Sequence, residues 1–130
     1  MAQTLLVVED DEAARLLYSE EFKELGLKVL TAENGMRALE ILEREPVDVV
    51  MTDLRMPEVG GIEMIPYLKK HYPRLPVVVV TAYPQYKELI LGVEPNVRGF
   101  FTKPVMMSDL RTLISEIMGE IGPANLRPVD

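Results

Sequence analysis

The sequence predicts an α/β domain built on one open, doubly wound parallel sheet, and three observations carry that prediction. Short apolar runs alternate with helix-like stretches along nearly the whole chain, the pattern of successive strand–helix units. Two of the runs, "VDVVMT" (47–52) and "VVVV" (77–80), are rich in β-branched residues and apolar on both faces, which suits strands covered on both sides. Finally, 130 residues of which 48% are hydrophobic make one compact domain with enough apolar material for a core.

The elements follow in order. Leu5 to Val8 reads as a buried strand. Asp11 to Leu25 reads as a helix with Ala14, Tyr18, Phe22 and Leu25 on one stripe, stopped by Gly26. Lys28 to Thr31 is a weaker second strand. Asn34 to Glu45 is a helix capped by Asn34, with Ala38, Ile41 and Leu42 inward and Pro46 closing it. Val47 to Thr52 is the third strand, and Gly61 to Lys70 a short helix with Ile62, Ile65 and Leu68 inward. Pro76 introduces the fourth strand, Val77 to Val80. Pro84 to Leu91 is a short helix, interrupted by "GVEPNVRG" (92–99). Phe100 to Thr102 is a short fifth strand. Ser108 to Ile121 is a helix with Leu110, Leu113, Ile114, Ile117 and Ile121 at three- and four-residue spacing. The domain runs over 3–121, and residues 122–130 read as a tail or the start of a linker.

Composition narrows the function. Fourteen basic against 21 acidic residues give a net charge of -7, which argues against binding to a nucleic-acid backbone by this domain. The absence of cysteine removes disulfides, thiolate metal sites and cysteine nucleophiles. The apolar run near the N-terminus, Leu5 to Val8, is far too short for a signal peptide or a membrane span. A cytoplasmic protein without membrane contact is the expectation.

In a doubly wound sheet the site lies at the carboxyl ends of the strands. That edge gathers Glu9, Asp10 and Asp11 after the first strand and Asp53 after the third. It also gathers Thr81 after the fourth and Lys103 after the fifth. Each residue has a plain structural reading as well. A strand-end Asp is often just solvated, and Asp10 or Asp11 could cap the first helix. Thr81 could be an ordinary strand residue, Lys103 a surface lysine, and Phe100 a core aromatic. Together, clustered carboxylates repel one another and call for a proton or a cation. The only histidine, His71, sits at a helix end away from this edge, so the ligands are all oxygens, a set that suits magnesium. A carboxylate there could be a phosphoryl-accepting nucleophile, aided by Lys103 and the Thr81 hydroxyl.

Four segments, "LLVVEDDEAAR", "DVVMTDLRMPEVGG", "VVVVTAY" and "GFFTKPV", resemble a response regulator receiver domain over residues 3–121. The resemblance implies a flavodoxin-like five-stranded sheet of order 2-1-3-4-5 and a phosphorylation-activated switch of two-component or phosphorelay signalling. It implies Asp53 as phosphoacceptor, with a histidine kinase or a histidine phosphotransfer protein as donor. Glu9, Asp10, Asp53 and the backbone carbonyl of Arg55 would hold Mg2+, for which Mn2+ can substitute. Thr81 and Lys103 would contact the phosphate. Thr81 and Phe100 would act as the switch, and Arg55 and Tyr83 would tune dephosphorylation. The Lys103–Pro104 bond is expected to be cis. Such a domain catalyses only its own phosphorylation and dephosphorylation, and it acts on an output partner or a fused output domain.

This chain departs from the family in Glu9 where an Asp is usual, in Phe100, which has no hydroxyl, and most in Gly92 to Gly99. The alternatives are a receiver-like scaffold working without phosphorylation and an aspartate-nucleophile phosphatase. The second would want an acid where Arg55 stands. A flavin module would want a phosphate loop where Glu9-Asp10-Asp11 stands.

Overall fold

The computed structural model describes residues 2–56 and 58–122. Its elements are β1 (Thr4–Val8), α1 (Glu12–Lys23), β2 (Lys28–Ala32), α2 (Gly35–Arg44), β3 (Val49–Thr52), α3 (Gly61–His71), β4 (Val77–Thr81), α4 (Lys87–Val93), β5 (Val97–Thr102) and α5 (Met107–Ile121). A 3-10 turn, Pro84–Tyr86, leads into α4. All neighbouring strands pair in parallel, in the order β2-β1-β3-β4-β5, as the family resemblance implies. The order reverses between β1 and β3, and the crevice it leaves there is where such sheets bind ligands.

Two-residue alternation along the strands builds two core layers. Leu6, Val8, Val50, Val77 and Val79 pack towards Ala38, Met64, Ile65, Leu68 and Ile90 of α2, α3 and α4. Leu5, Val7, Val49, Met51, Val78 and Val80 pack towards Tyr18, Phe22, Leu110, Ile114 and Ile117 of α1 and α5. Every residue of β1, β3 and β4 is buried, which is why those strands read as apolar runs without alternation. Truncating a leucine such as Leu68 in this core costs about 2–5 kcal/mol.

The helix ends have local causes. Asp11 caps α1 through Oδ2, which accepts from the Ala14 N–H at 3.0 Å. At its other end the N–H of Gly26 reaches the Lys23 carbonyl and that of Leu27 the Phe22 carbonyl. This is a Schellman closure, with Gly26 at φ +83°. Asn34 Oδ1 caps α2 through the Arg37 N–H. Glu63 Oε2 accepts the Gly60 N–H at 2.9 Å and fixes the start of α3.

Three details differ from expectation. Leu25 is 42% exposed rather than part of the α1 stripe, because the helix ends before it and the Schellman turn points it outward. β3 starts at Val49, not Val47, because the buried Asp48 carboxylate turns back to accept the Thr4 N–H at 2.6 Å. β5 is longer than the three residues expected, starting at Val97. Its register slips by one residue between Val77 and Val78 of β4, so Arg98 is bulged. Gly99 then lies where a Cβ would collide with Leu113 of α5. In the same segment α4 is a short helix, and the buried Glu94 that follows it is ion-paired with Lys69 at 3.5 Å. The Lys103–Pro104 peptide is cis. Residues 123–130 of the expected tail lie outside the described residues. No helix among the described residues is long and apolar enough to cross a membrane.

Candidate acidic site at the carboxyl edge of the sheet

Three strands deliver three charged side chains in the same way. Glu9, Asp53 and Lys103 each stand one residue past the end of a strand, yet their own N–H groups still belong to the ladder. Glu9 donates to Ala32 O at 3.0 Å, Asp53 to Val8 O at 3.2 Å and Lys103 to Thr81 O at 2.8 Å. The backbone of each is therefore fixed by the sheet while its side chain leaves into the crevice. Thr81 is the last residue of β4 and fully buried.

Lys103 Nζ lies 2.6 Å from Glu9 Oε1 and 2.9 Å from Asp53 Oδ2. These are charge-assisted hydrogen bonds, the strong kind. Glu9 and Asp53 are both buried, at 3% and 8% exposure. The other oxygen of Asp53, Oδ1, accepts the Leu54 N–H at 2.6 Å and faces the Arg55 N–H at 3.5 Å. Burial pushes the Glu9 carboxyl above its usual range, and the bond to Lys103 offsets this only in part. Burial works to lower the Lys103 ammonium, but the hydrogen bonds to Glu9 and Asp53 outweigh it and hold it well above an ordinary lysine.

The double glycine after Asp53 has a steric reason. The chain folds back so that Gly61 N–H donates to Asp53 O at 3.2 Å and Ile62 N–H to Leu54 O at 3.2 Å. A Cβ at Gly61 would collide with the carbonyl of Asp53, and one at Gly60 with that of Leu54. The Thr52 hydroxyl also donates to Asp53 O, at 2.8 Å.

One carboxylate oxygen from each of Glu9, Asp10 and Asp53 falls within 4.8 Å of the other two. Asp11 takes the α1 cap, which leaves the exposed Asp10 carboxylate to this group. Three carboxylates against the single ammonium of Lys103 leave two formal negative charges over. The donors are all hard oxygens. Charge and donor set both fit one divalent cation of the Mg2+ kind.

The remaining expected residues take up distinct places. Thr81 Oγ accepts the Tyr83 N–H at 3.2 Å. The Arg55 guanidinium carbon stands 5.0 Å from the Tyr83 ring centroid, within cation–π range. Phe100 is half-buried and packs on the core layer of α2, α3 and α4. It is thus on the sheet but not among the charged groups. Met106 is 67% exposed, whereas Met107 packs on the other core layer.

Sequence reasoning passed over Arg15. Its guanidinium donates to the Glu9 carbonyl at 2.8 Å and the Asp10 carbonyl at 3.5 Å, so α1 clamps the backbone of the acidic pair. A cation in the first turn after an acidic run was the available signal. A groove of about 720 Å³ lies at the opposite edge of the sheet. It is lined by Val47, Tyr72 and Leu75 among others and contains none of these site residues.

Comparison with known proteins supplies the family and the fold. The family model for the response regulator receiver domain matches residues 5–115. The transcriptional regulatory protein GlrR of Escherichia coli (strain K12) is 34% identical over 120 residues, 92% of this chain and 27% of that protein. Sporulation initiation phosphotransferase F of Bacillus subtilis (strain 168) is 28% identical over 118 residues, 91% of this chain and 95% of that protein. The chain thus spans about a quarter of the first relative and nearly all of the second. Among solved structures, response regulator protein TrrA of Thermotoga maritima, in complex with Mg(2+)-BeF, superposes with a TM-score of 0.81 at 27% identity. That match covers 89% of this chain and 99% of that one.

Proposed function

The chain belongs to the response regulator receiver domain family, and on that premise we propose that Asp53 is the residue that takes the phosphoryl group. The donor is a histidine kinase or a histidine phosphotransfer protein. The observation that carries this reading is the Lys103 ammonium held between Glu9 and Asp53, with the buried Thr81 at the end of the adjoining strand.

In the transfer an Asp53 carboxylate oxygen attacks phosphorus. An O–P bond forms as the P–N bond to the donor imidazole breaks, and the imidazole leaves with that electron pair. The hydrogen bonds to Asp53 from Lys103 and Leu54 orient the carboxylate from two sides. Lys103 offsets charge on the phosphoryl oxygens. Thr81, whose oxygen already accepts from Tyr83, donates its own proton to one of them.

Glu9, Asp10, Asp53 and the Arg55 carbonyl would hold Mg2+, and Mn2+ could use the same oxygens. The bound ion would neutralise the phosphoryl oxygens during transfer. Receiver domains are phosphoacceptors rather than conventional enzymes; here the chemistry is limited to the domain's own phosphorylation and slow hydrolysis. The Arg55–Tyr83 pair limits water at Asp53.

The output is a population shift. Thr81 moves towards the phosphate, Phe100 repacks, and the face of α4, β5 and α5 changes its affinity for an output partner or a fused output domain. The exposed Leu89 and Leu91 of α4 belong to that face. The phosphodonor protein docks on the other rim, where Leu16 and Leu17 of α1 are 59% and 54% exposed. The receiver unit runs over 3–121, with 122–130 as tail or linker.

The test is direct. Incubated with Mg2+ and acetyl phosphate, the protein gains the mass of one phosphoryl group, and Asp53→Asn does not. No gain in the parent, or equal gain in the variant, overturns the assignment.

A further inference from the structure

The acidic pair and the loop after Asp53 are both tied to one short segment, Ala32–Gly35. At its start, the Ala32 carbonyl accepts the Glu9 N–H at 3.0 Å. At its end, the Gly35 N–H donates to the Val59 carbonyl at 2.6 Å. Ala32 closes the β2 ladder and Gly35 opens α2. Both are buried, and α2 is anchored in the core by Ala38 and Leu42. The segment is therefore rigid at both ends, and Asn34 within it caps the helix.

The loop between Asp53 and Gly61 needs such a tie. It is closed at its base by the Gly61 N–H on Asp53 O. At its far turn Glu58 holds φ +67°, a conformation that costs a non-glycine residue free energy unless its neighbours enforce it. The next residue, Val59, is the one held by Gly35. Space there is closed: a Cβ on Gly35 would lie 2.6 Å from Val59 O and 2.8 Å from Val59 Cγ1. The first is a backbone atom and cannot rotate away.

We propose that Ala32–Gly35 is a strut setting the separation between the Glu9–Asp10 pair and the backbone at Val59. Gly35 is its positioning residue: it touches neither phosphate nor metal but fixes where the Arg55 backbone stands relative to Glu9 and Asp53. This rests on the assignment of the site above. Groups that orient metal ligands from outside commonly contribute ten- to a hundredfold in affinity.

The test uses Gly35→Ala in the full chain, with Gly119→Ala as control, since a Cβ at Gly119 of α5 meets nothing within 4 Å. Labelling by acetyl phosphate is followed against Mg2+ concentration, alongside thermal unfolding. Gly35→Ala is expected to raise the half-saturating Mg2+ concentration about tenfold, at temperatures where it is fully folded, while Gly119→Ala matches the parent. A Gly35→Ala protein that unfolds earlier but keeps the parent's Mg2+ dependence overturns the strut.

A second measurement needs no variant. Amide exchange at Gly35 in the parent protein is expected to slow several-fold on adding Mg2+, by reciprocity of coupling, with Gly119 unaffected. Unchanged exchange at Gly35 overturns the proposal, even if Gly35→Ala fails to fold. If the parent is never labelled at Asp53, the assignment of the phosphoacceptor fails. The Mg2+-dependent exchange then still decides the strut.

Discussion

Lys103 Nζ stands 2.9 Å from Asp53 Oδ2 across a sequence separation of 50 residues. The contact exists because β3 and β5 flank β4 and each strand ends at the same edge. The same ammonium is 2.6 Å from Glu9, so one cation serves two buried carboxylates. Lys103→Ala is expected to slow acetyl phosphate labelling about a hundredfold, the usual loss when a preorganised donor to a developing anion is removed. It should also lower stability by about 1–3 kcal/mol in metal-free buffer. That is less than a fully buried pair would lose, because Lys103 is 28% exposed. Urea unfolding with and without Mg2+ checks this: the deficit should shrink when the ion is present.

Phe100 separates labelling from signalling. It packs on the α2–α3–α4 layer and opposes Val79 of β4, two residues before Thr81. Phe100→Leu keeps the apolar contact but removes the ring. Labelling by acetyl phosphate should stay within about twofold, while the beryllofluoride-induced NMR shifts on α4 and α5 weaken. A core change of this kind costs about 1 kcal/mol. Full-sized distal shifts in the variant would remove Phe100 from the switch.

The Arg55 guanidinium carbon stands 5.0 Å from the Tyr83 ring centroid, and in the proposed function this pair is a cover over Asp53. If the cover excludes water, Arg55→Ala and Tyr83→Ala should each shorten the phosphoryl lifetime, and the double variant should be no worse than the poorer single one. An exposed cation–π pair contributes about 0.5–1 kcal/mol, so the change in hydrolysis rate is about two- to fivefold. Measured decay after donor removal decides it. Additive effects would mean that the two residues act separately.

The sheet was legible because its central strands are continuous apolar runs, and the site because its acids, threonine and lysine follow those runs directly. What escaped were features set by contact across the fold. The Val97–Gly99 stretch of β5 carries a glycine, lies beside Pro95 and is bulged at Arg98, so its composition spelled a loop. Asp48 reads as a residue inside a strand, yet its carboxylate caps the Thr4 N–H, a partner 44 residues away. Arg15 bonds only backbone carbonyls, and Gly35 acts through the absence of a side chain. Gly35 leaves no pattern in composition or charge, and Arg15 leaves only its place as a cation soon after an acidic run.

The rim proposed to receive the phosphodonor gives the last prediction. Leu16 and Leu17 lie on α1, whose first turn follows directly from the acidic pair, and more than half of each side chain is exposed. Neither belongs to a core layer, so the fold does not require them. Glutamine has nearly the helix propensity of leucine, so Leu16→Gln and Leu17→Gln should leave unfolding midpoints unchanged. Acetyl phosphate reaches Asp53 without covering α1, and its labelling rate should be unaffected. In the proposed docking a phosphohistidine protein lies against this rim to bring its imidazole to Asp53. An apolar anchor at the centre of such a contact contributes about 1–2 kcal/mol, so transfer from that donor should fall about five- to thirtyfold. The split between the two donors is the diagnostic: equal slowing with both would place the leucines in the fold or the chemistry, and no slowing with either would move the docking surface off α1.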